Sequence, residues 1–148
     1  MEHQSIDEER VMPRSPIITN QDMHRLRAWI AYRPATRRVD ATGLAALKHK
    51  LEQAQVVPAR SVESGVVTMH SRIRLRDPGS PDWSIVTLVF PEDERAERRR
   101  VSVLTEEGRA ILGRRVGDTV QFDTPDGSRQ LVIDEILYQP EAAGDSQL

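Results

Sequence analysis

The residues of this chain that could do chemistry are four histidines, two pairs of adjacent acids and three clusters of arginine. His3, His24, His49 and His70 never fall two to one helix face at ligand spacing, and no HExxH or histidine-rich tract accompanies them, so a zinc site lacks its donors. Asp7-Glu8 and Glu106-Glu107 place carboxylates side by side, which acid–base or metal chemistry could use, but adjacent charges ordinarily lie in solvent. Arg37-Arg38, Arg98-Arg99-Arg100 and Arg114-Arg115 could meet phosphates or an acidic protein surface, or could be solvated loops. No aromatic residue interleaves with them in sequence, and the chain has two Trp, two Tyr and two Phe, so single-stranded nucleic-acid binding by stacking is not expected. A P-loop, GxGxxG and GxSxG are all missing, and without cysteine there is no thiolate nucleophile, thiolate metal site or disulfide. The expectation is a protein that is not an enzyme and takes no cofactor or metal.

Length and charge narrow the remaining classes. A chain of 148 residues holds one ordinary domain, or a small domain with a helical appendage. With 21 basic and 23 acidic residues the net charge is −2, which attracts neither DNA nor an anionic membrane as a whole. No apolar run approaches the roughly 20 residues of a membrane span, and the start MEHQSIDEER has neither the basic nor the apolar region of a signal peptide. A soluble, cytoplasmic protein is expected, with no membrane partner and no direct sequence-specific nucleic-acid binding. Residues 1–60 carry 10 basic and 7 acidic side chains and residues 61–148 carry 11 and 16, so the halves hold +3 and −5 and differ in character.

Three segments follow from the patterning. Residues 1–15 are polar, mixed in charge and interrupted by Pro13, and are expected to be disordered. Residues 16–60 predict a short helical hairpin. Thr19 and Asp22 have the spacing of a variant capping box, with the Asp22 carboxylate favouring the positive helix end, and Met23, Leu26 and Ile30 continue a helix to about Arg33 before Pro34. Asp40 is an N-cap for a second helix to about Gln55, with Leu44, Leu47, Leu51 and Ala54 on one stripe. The alternative is that both helices simply pack on the remainder as core.

From residue 61 to 148 the period switches to two. Val66 to Leu75 and Ser84 to Phe90 predict an antiparallel pair around the turn cluster DPGSPD, and Glu92 to Arg100 predicts a solvated connection. A strand from Val101 to Leu104, a short helix capped by Thr105, and a hairpin of Val120 to Thr124 with Leu131 to Leu137 around Pro125-Asp126-Gly127 complete the set. The expected fold class is α+β: an antiparallel helical hairpin, then about five antiparallel strands with one short helix covering one face.

The run Val101 to Asp118, VSVLTEEGRAILGRRVGD, resembles the S-x-x-S-P-x-G-x-A-L-L-G-x-x-V-G-D segment in the carboxy-terminal domain of the GreA/GreB transcription elongation factors. The ending YQPEAAGDSQL brings it closer to the branch typified by the regulator of nucleoside diphosphate kinase. Thr105-Glu106 stands where that family usually has Ser-Pro or Ala-Pro, and Glu107 replaces an apolar residue, making the helix start more acidic. The resemblance implies an FK506-binding-protein-like domain that docks at the rim of the RNA polymerase secondary channel. The contact candidates it implies are Thr105, Glu106, Arg109, Arg114, Arg115 and Asp118, with Arg37, Arg38 and Asp40 at the hairpin tip. In the cleavage factors a long coiled coil carries two acids to the active-site magnesium. Here helices of 14 to 16 residues would reach only about 21 to 24 Å and offer one tip carboxylate, Asp40, so competition with the cleavage factors without transcript cleavage is expected. The alternatives are a prolyl isomerase, by fold analogy, and an indirect regulator of nucleoside diphosphate kinase levels.

Overall fold

Thr19, Asp40 and Thr105 each stand in extended backbone immediately before a helix, and each side-chain oxygen accepts the amide three residues on, at 3.0 Å in every case. These three caps satisfy otherwise unpaired helix-start donors and set where the helices begin. The computed structural model describes residues 14–33 and 40–145. Arg37, Arg38, His3 and the Asp7-Glu8 pair lie outside the described residues, as does most of the expected disordered segment. Strand β1 (Ile17–Thr19) leads into α1 (Asn20–Tyr32); α2 (Ala41–Glu52) leads into β2 (Gln55–Val57). β1 and β2 pair in parallel, Ile17 opposite Gln55 and Thr19 opposite Val57, which brings the first turn of α1 and the last turn of α2 to one end of the hairpin. This pairing was not expected from the sequence, and it stops the second helix at Glu52 rather than Gln55.

The second half is a five-stranded sheet of order β5-β4-β3-β7-β6, with β3 (Arg72–Arg76), β4 (Trp83–Val89), β5 (Arg100–Ser102), β6 (Thr119–Thr124) and β7 (Gly127–Tyr138). Two corrections to the sequence expectation apply. β5 runs parallel to β4, because the connection from Pro91 to Arg99 makes two 3-10 turns and returns the chain beside the strand it left. The strand predicted from Val66 is regular only over Arg72–Arg76; Val66 to Met69 are fully buried, but their backbone bonds to the Arg114 carbonyl and to side chains rather than to a ladder. Helix α3 (Glu106–Ile111) is the expected short helix, and a further single turn, α4 (Pro140–Ala143), follows β7.

The apolar stripes of both hairpin helices belong to the same core as the sheet. Leu26, Leu47 and Leu51 pack in one cluster with Ile73, Leu75, Leu88, Phe122, Ile133 and, from the α3 region, Ile111 and Leu112. Each such side chain contributes about 1.5–3 kcal/mol on burial, so the hairpin is held by packing as well as by its caps. The tail is held differently. Gln139, 3 % exposed, donates from Nε2 to the carbonyls of Glu63 and Val66, both at 2.8 Å, and its Oε1 accepts from the Ala142 amide.

Candidate functional site

The segment from Thr105 to Asp118 forms a compact frame around α3. Thr105 Oγ1 donates to the Ser102 carbonyl at 2.7 Å while accepting from the Gly108 amide, so one hydroxyl ties the end of β5 to the first turn of α3. Gly108 is required by space: a Cβ there would stand 2.0 Å from the Ser102 carbonyl oxygen. At the other end Gly113 adopts φ +81 and sits under β1, where a Cβ would meet Pro16 at 2.7 Å and the Ile17 amide nitrogen at 2.9 Å. Asp118 Oδ2 accepts from the Arg115 amide at 2.8 Å and closes the turn into β6.

The frame residues divide by exposure. Glu106 is open to solvent, with Oε2 accepting the Asp123 amide at 3.1 Å. Arg115 is half-exposed and lies 4.0 Å from the Glu63 carboxylate. Arg109 is not a free docking cation: its side chain is 14 % exposed, its guanidinium donates to the Leu104 carbonyl, and the nearest carboxylate oxygen, of Glu106, is 3.8 Å away. Arg114 donates to the Arg14 carbonyl, and burial lowers its pKa against the opposing pull of Asp118.

Two residues that the sequence reading did not single out position this frame. Gly43 and Lys50, two turns apart on α2, both touch the 104–109 segment. A Cβ on Gly43 would lie 3.0 Å from the Leu104 carbonyl and 3.1 Å from Arg109 Nη1, and the Lys50 ammonium donates to the Arg109 carbonyl. Burial, with repulsion from Arg114 and Arg109 adding to it, pulls the Lys50 pKa well below its ordinary value. The signal available in sequence was a glycine inside a helical pattern, which commonly marks close packing. Asp40 caps α2 beside the same contact, so the one described tip carboxylate is already engaged. Between α2, α3 and β6 lies an open groove of about 480 Å³ floored by Lys50, Arg109 and Phe122 and rimmed by Glu106 and Asp123.

A smaller cavity of about 230 Å³ lies where α1 meets the tail, lined by Asp22, Arg25, Arg60, His70 and Glu141. Asp22 stands in the first turn of α1, its amide capped by Thr19 and its carboxyl also bonded to the Thr19 side chain, as the capping-box spacing implies. It is 3 % exposed and accepts the Met69 amide at 2.9 Å, and burial pushes its pKa up to about 6, the Glu141 charge adding to the rise. His70, at φ +69, lies tilted against Phe90 with ring centres 5.7 Å apart, and burial lowers its pKa, with Arg25 adding to the effect. Among the described residues no three His, Asp or Glu side chains converge on a possible metal site, and no helix is long and apolar enough to cross a membrane.

Residues 62–138, just over half of the chain and including the whole α3 frame, match the family model described as transcription elongation factor, GreA/GreB, C-term. The chain belongs to the GreA/GreB family. It is 38 % identical over 101 residues to the regulator of nucleoside diphosphate kinase of Escherichia coli strain K12, a match covering 68 % of this chain and 74 % of that protein. It is 27 % identical over 92 residues to transcription elongation factor GreA of Dehalococcoides mccartyi, covering 62 % of this chain but only 59 % of that factor. Among solved structures, a prokaryotic transcription elongation factor GreA/GreB from Nitrosomonas europaea superposes with a TM-score of 0.68 at 30 % identity, covering 86 % of this chain and all of that one. These relatives are regulators and transcription factors, which gives the chain a transcription factor-like role. Within the GreA/GreB framework, Thr105, Gly108 and Gly113 have structural duties that account for their presence without catalysis.

Proposed function

We propose that this chain is an RNA polymerase-binding transcription regulator that docks at the secondary-channel rim through the α3 frame and competes with Gre cleavage factors without stimulating transcript cleavage. The observation that carries the reading is the disposition of α2. Its 12 residues and the 13 of α1 are about 18 and 20 Å long at ~1.5 Å per residue, and α2 lies along α3, held by the Gly43 approach and the Lys50 contact, instead of projecting from it. Cleavage at a polymerase centre requires positioned carboxylates that hold a magnesium and a water. Asp40 is a single acid, engaged as a helix cap and close to a guanidinium that repels cations.

The docking half rests on the exposed Glu106 and the half-exposed Arg115, which present opposite charges at the two ends of the frame, with Thr105 and Asp118 fixing the backbone between them. Arg109 ties α3 to the Leu104 carbonyl, and Arg114 ties the end of the frame to the Arg14 carbonyl. An isomerase would need an aromatic-lined pocket, whereas Phe122 alone of the six aromatics lines either cavity. An effect on nucleoside diphosphate kinase, as in the name of the Escherichia coli relative, would then be indirect, through transcription. The test is retention of purified core RNA polymerase by the immobilised full chain. Retention that a Gre factor displaces supports the reading; no retention even at low salt overturns it.

A further inference from the structure

The face of the sheet turned away from the core is built from alternating arginines and flanking aromatics. β3 reads RIRLR, with Ile73 and Leu75 fully buried and Arg72, Arg74 and Arg76 therefore on the opposite face. Cross-strand partners share a face, and the register gathers more of the same chemistry there. Arg72 stands opposite Thr87 on one side, with Arg100 next beyond Thr87, and opposite Tyr138 on the other; Arg76 stands opposite Trp83. Trp83 is 61 % exposed, and the Arg74 guanidinium lies 6.0 Å from its ring centre. The carboxylates at this part of the face are Asp134, which meets Arg74 at 2.8 Å and Arg76 at 3.4 Å, Glu135, which meets Arg74 at 2.9 Å, and Asp145, which accepts the Tyr138 hydroxyl. Arg72 and Arg100 make no ion pair with another described residue and are exposed.

We infer that this open face binds single-stranded nucleic acid, with phosphates along Arg72, Arg74, Arg76 and Arg100 and a base stacked on Trp83. Three features favour this occupant over an acidic protein segment. Alternate residues of a strand are about 6 to 7 Å apart, a spacing comparable to that of successive phosphates in an extended polynucleotide. Four arginines outnumber the carboxylates of Asp134, Glu135 and Asp145, and Arg72 and Arg100 are in no ion pair with another described residue, leaving a local positive charge on a chain of net charge −2. A large aromatic ring is held in solvent beside the arginines, where a stacked base would use it and a carboxylate would not. The aromatic partner is invisible in sequence because Trp83 reaches Arg76 only through strand pairing. The inference goes beyond polymerase docking and does not depend on it, since the surface involved is not the α3 frame.

The experiment measures fluorescence anisotropy of a short labelled single-stranded RNA titrated with the full-length protein, without polymerase, across a salt series. A saturable rise that weakens with salt is expected. The doubly reversed variant R72E/R100E should lose about tenfold or more in affinity. Trp83→Ala should lose about tenfold, as for one stacked base, and Trp83→Phe should recover most of it. Both sites are solvent-exposed, and circular dichroism verifies the fold of each variant. No saturable binding at low salt overturns the proposal. So does full affinity in Trp83→Ala, or polyglutamate competing as well as RNA, because either outcome makes the face a purely ionic surface suited to an acidic protein.

Discussion

Asp22 should make the protein less stable as the pH rises through the weakly acidic range. Its carboxyl is almost wholly buried, and burial moves its pKa from 3.8 to about 6 in the folded state, with Glu141 adding to the rise while the Met69 amide, Arg25 and Thr19 oppose it. Between those two values the folded protein holds a proton that the unfolded chain has lost, so folding stability falls with increasing pH and levels off above about 6. At about 1.36 kcal/mol per pH unit, the interval from 3.8 to about 6 corresponds to a loss of about 3 kcal/mol. Asp22→Asn keeps an oxygen to accept the Met69 amide and has no charge to desolvate. The variant should therefore match the parent near pH 4 and exceed it by up to about 3 kcal/mol at neutral pH. Urea denaturation of both proteins at intervals across this range measures the difference directly. Parallel stability curves for parent and variant, or a variant weaker than the parent at neutral pH, would refute the burial argument.

Three other substitutions test the frame and the tail. Gly108→Ala would ordinarily gain about 1 kcal/mol in a helix, but the contact with the Ser102 carbonyl should turn this into a loss of about 1–3 kcal/mol; a raised denaturation midpoint would contradict the close approach. Gln139→Ala strips donors from the Glu63 and Val66 carbonyls, so about 1–3 kcal/mol should be lost and amide exchange over residues 140–145 should accelerate; unchanged exchange there would show that the clamp is idle. Arg115→Glu should leave the fold intact, because the ion pair with Glu63 is long and solvent-accessible, but should slow association with polymerase and flatten its salt dependence; identical association across a salt series would return Arg115 to ordinary surface.

What the sequence made legible was local. The caps at Thr19, Asp40 and Thr105 are short-range hydrogen bonds with strong residue preferences, and each stands where the pattern put it. The hairpin around Pro125-Asp126-Gly127 was legible for the same reason: adjacent strands and a turn signal specify it together. The β1–β2 pair was not legible, because two three-residue strands separated by both helices carry no periodic signal. The parallel β5 depends on the turns between Pro91 and Arg99, whose charged sequence says nothing about direction. At the candidate site, the partial burial of Arg109 is not legible, because its cover is α2, fifty-nine residues upstream at Lys50, and no local rule reports that contact. The cap at Thr19 and Asp22 was legible, whereas the further bond from the Asp22 carboxylate to the distant Met69 amide was not.

Occupancy of the polymerase channel rim without catalysis can be measured directly. The direct measurement uses a backtracked elongation complex incubated with this protein, with a Gre cleavage factor, and with both, following release of the transcript 3′ end. No cleavage above background is expected with this protein alone, and the Gre-stimulated reaction should slow progressively as its concentration rises. Cleavage by this protein alone, or an undiminished rate in the mixture at saturating protein, would contradict such occupancy.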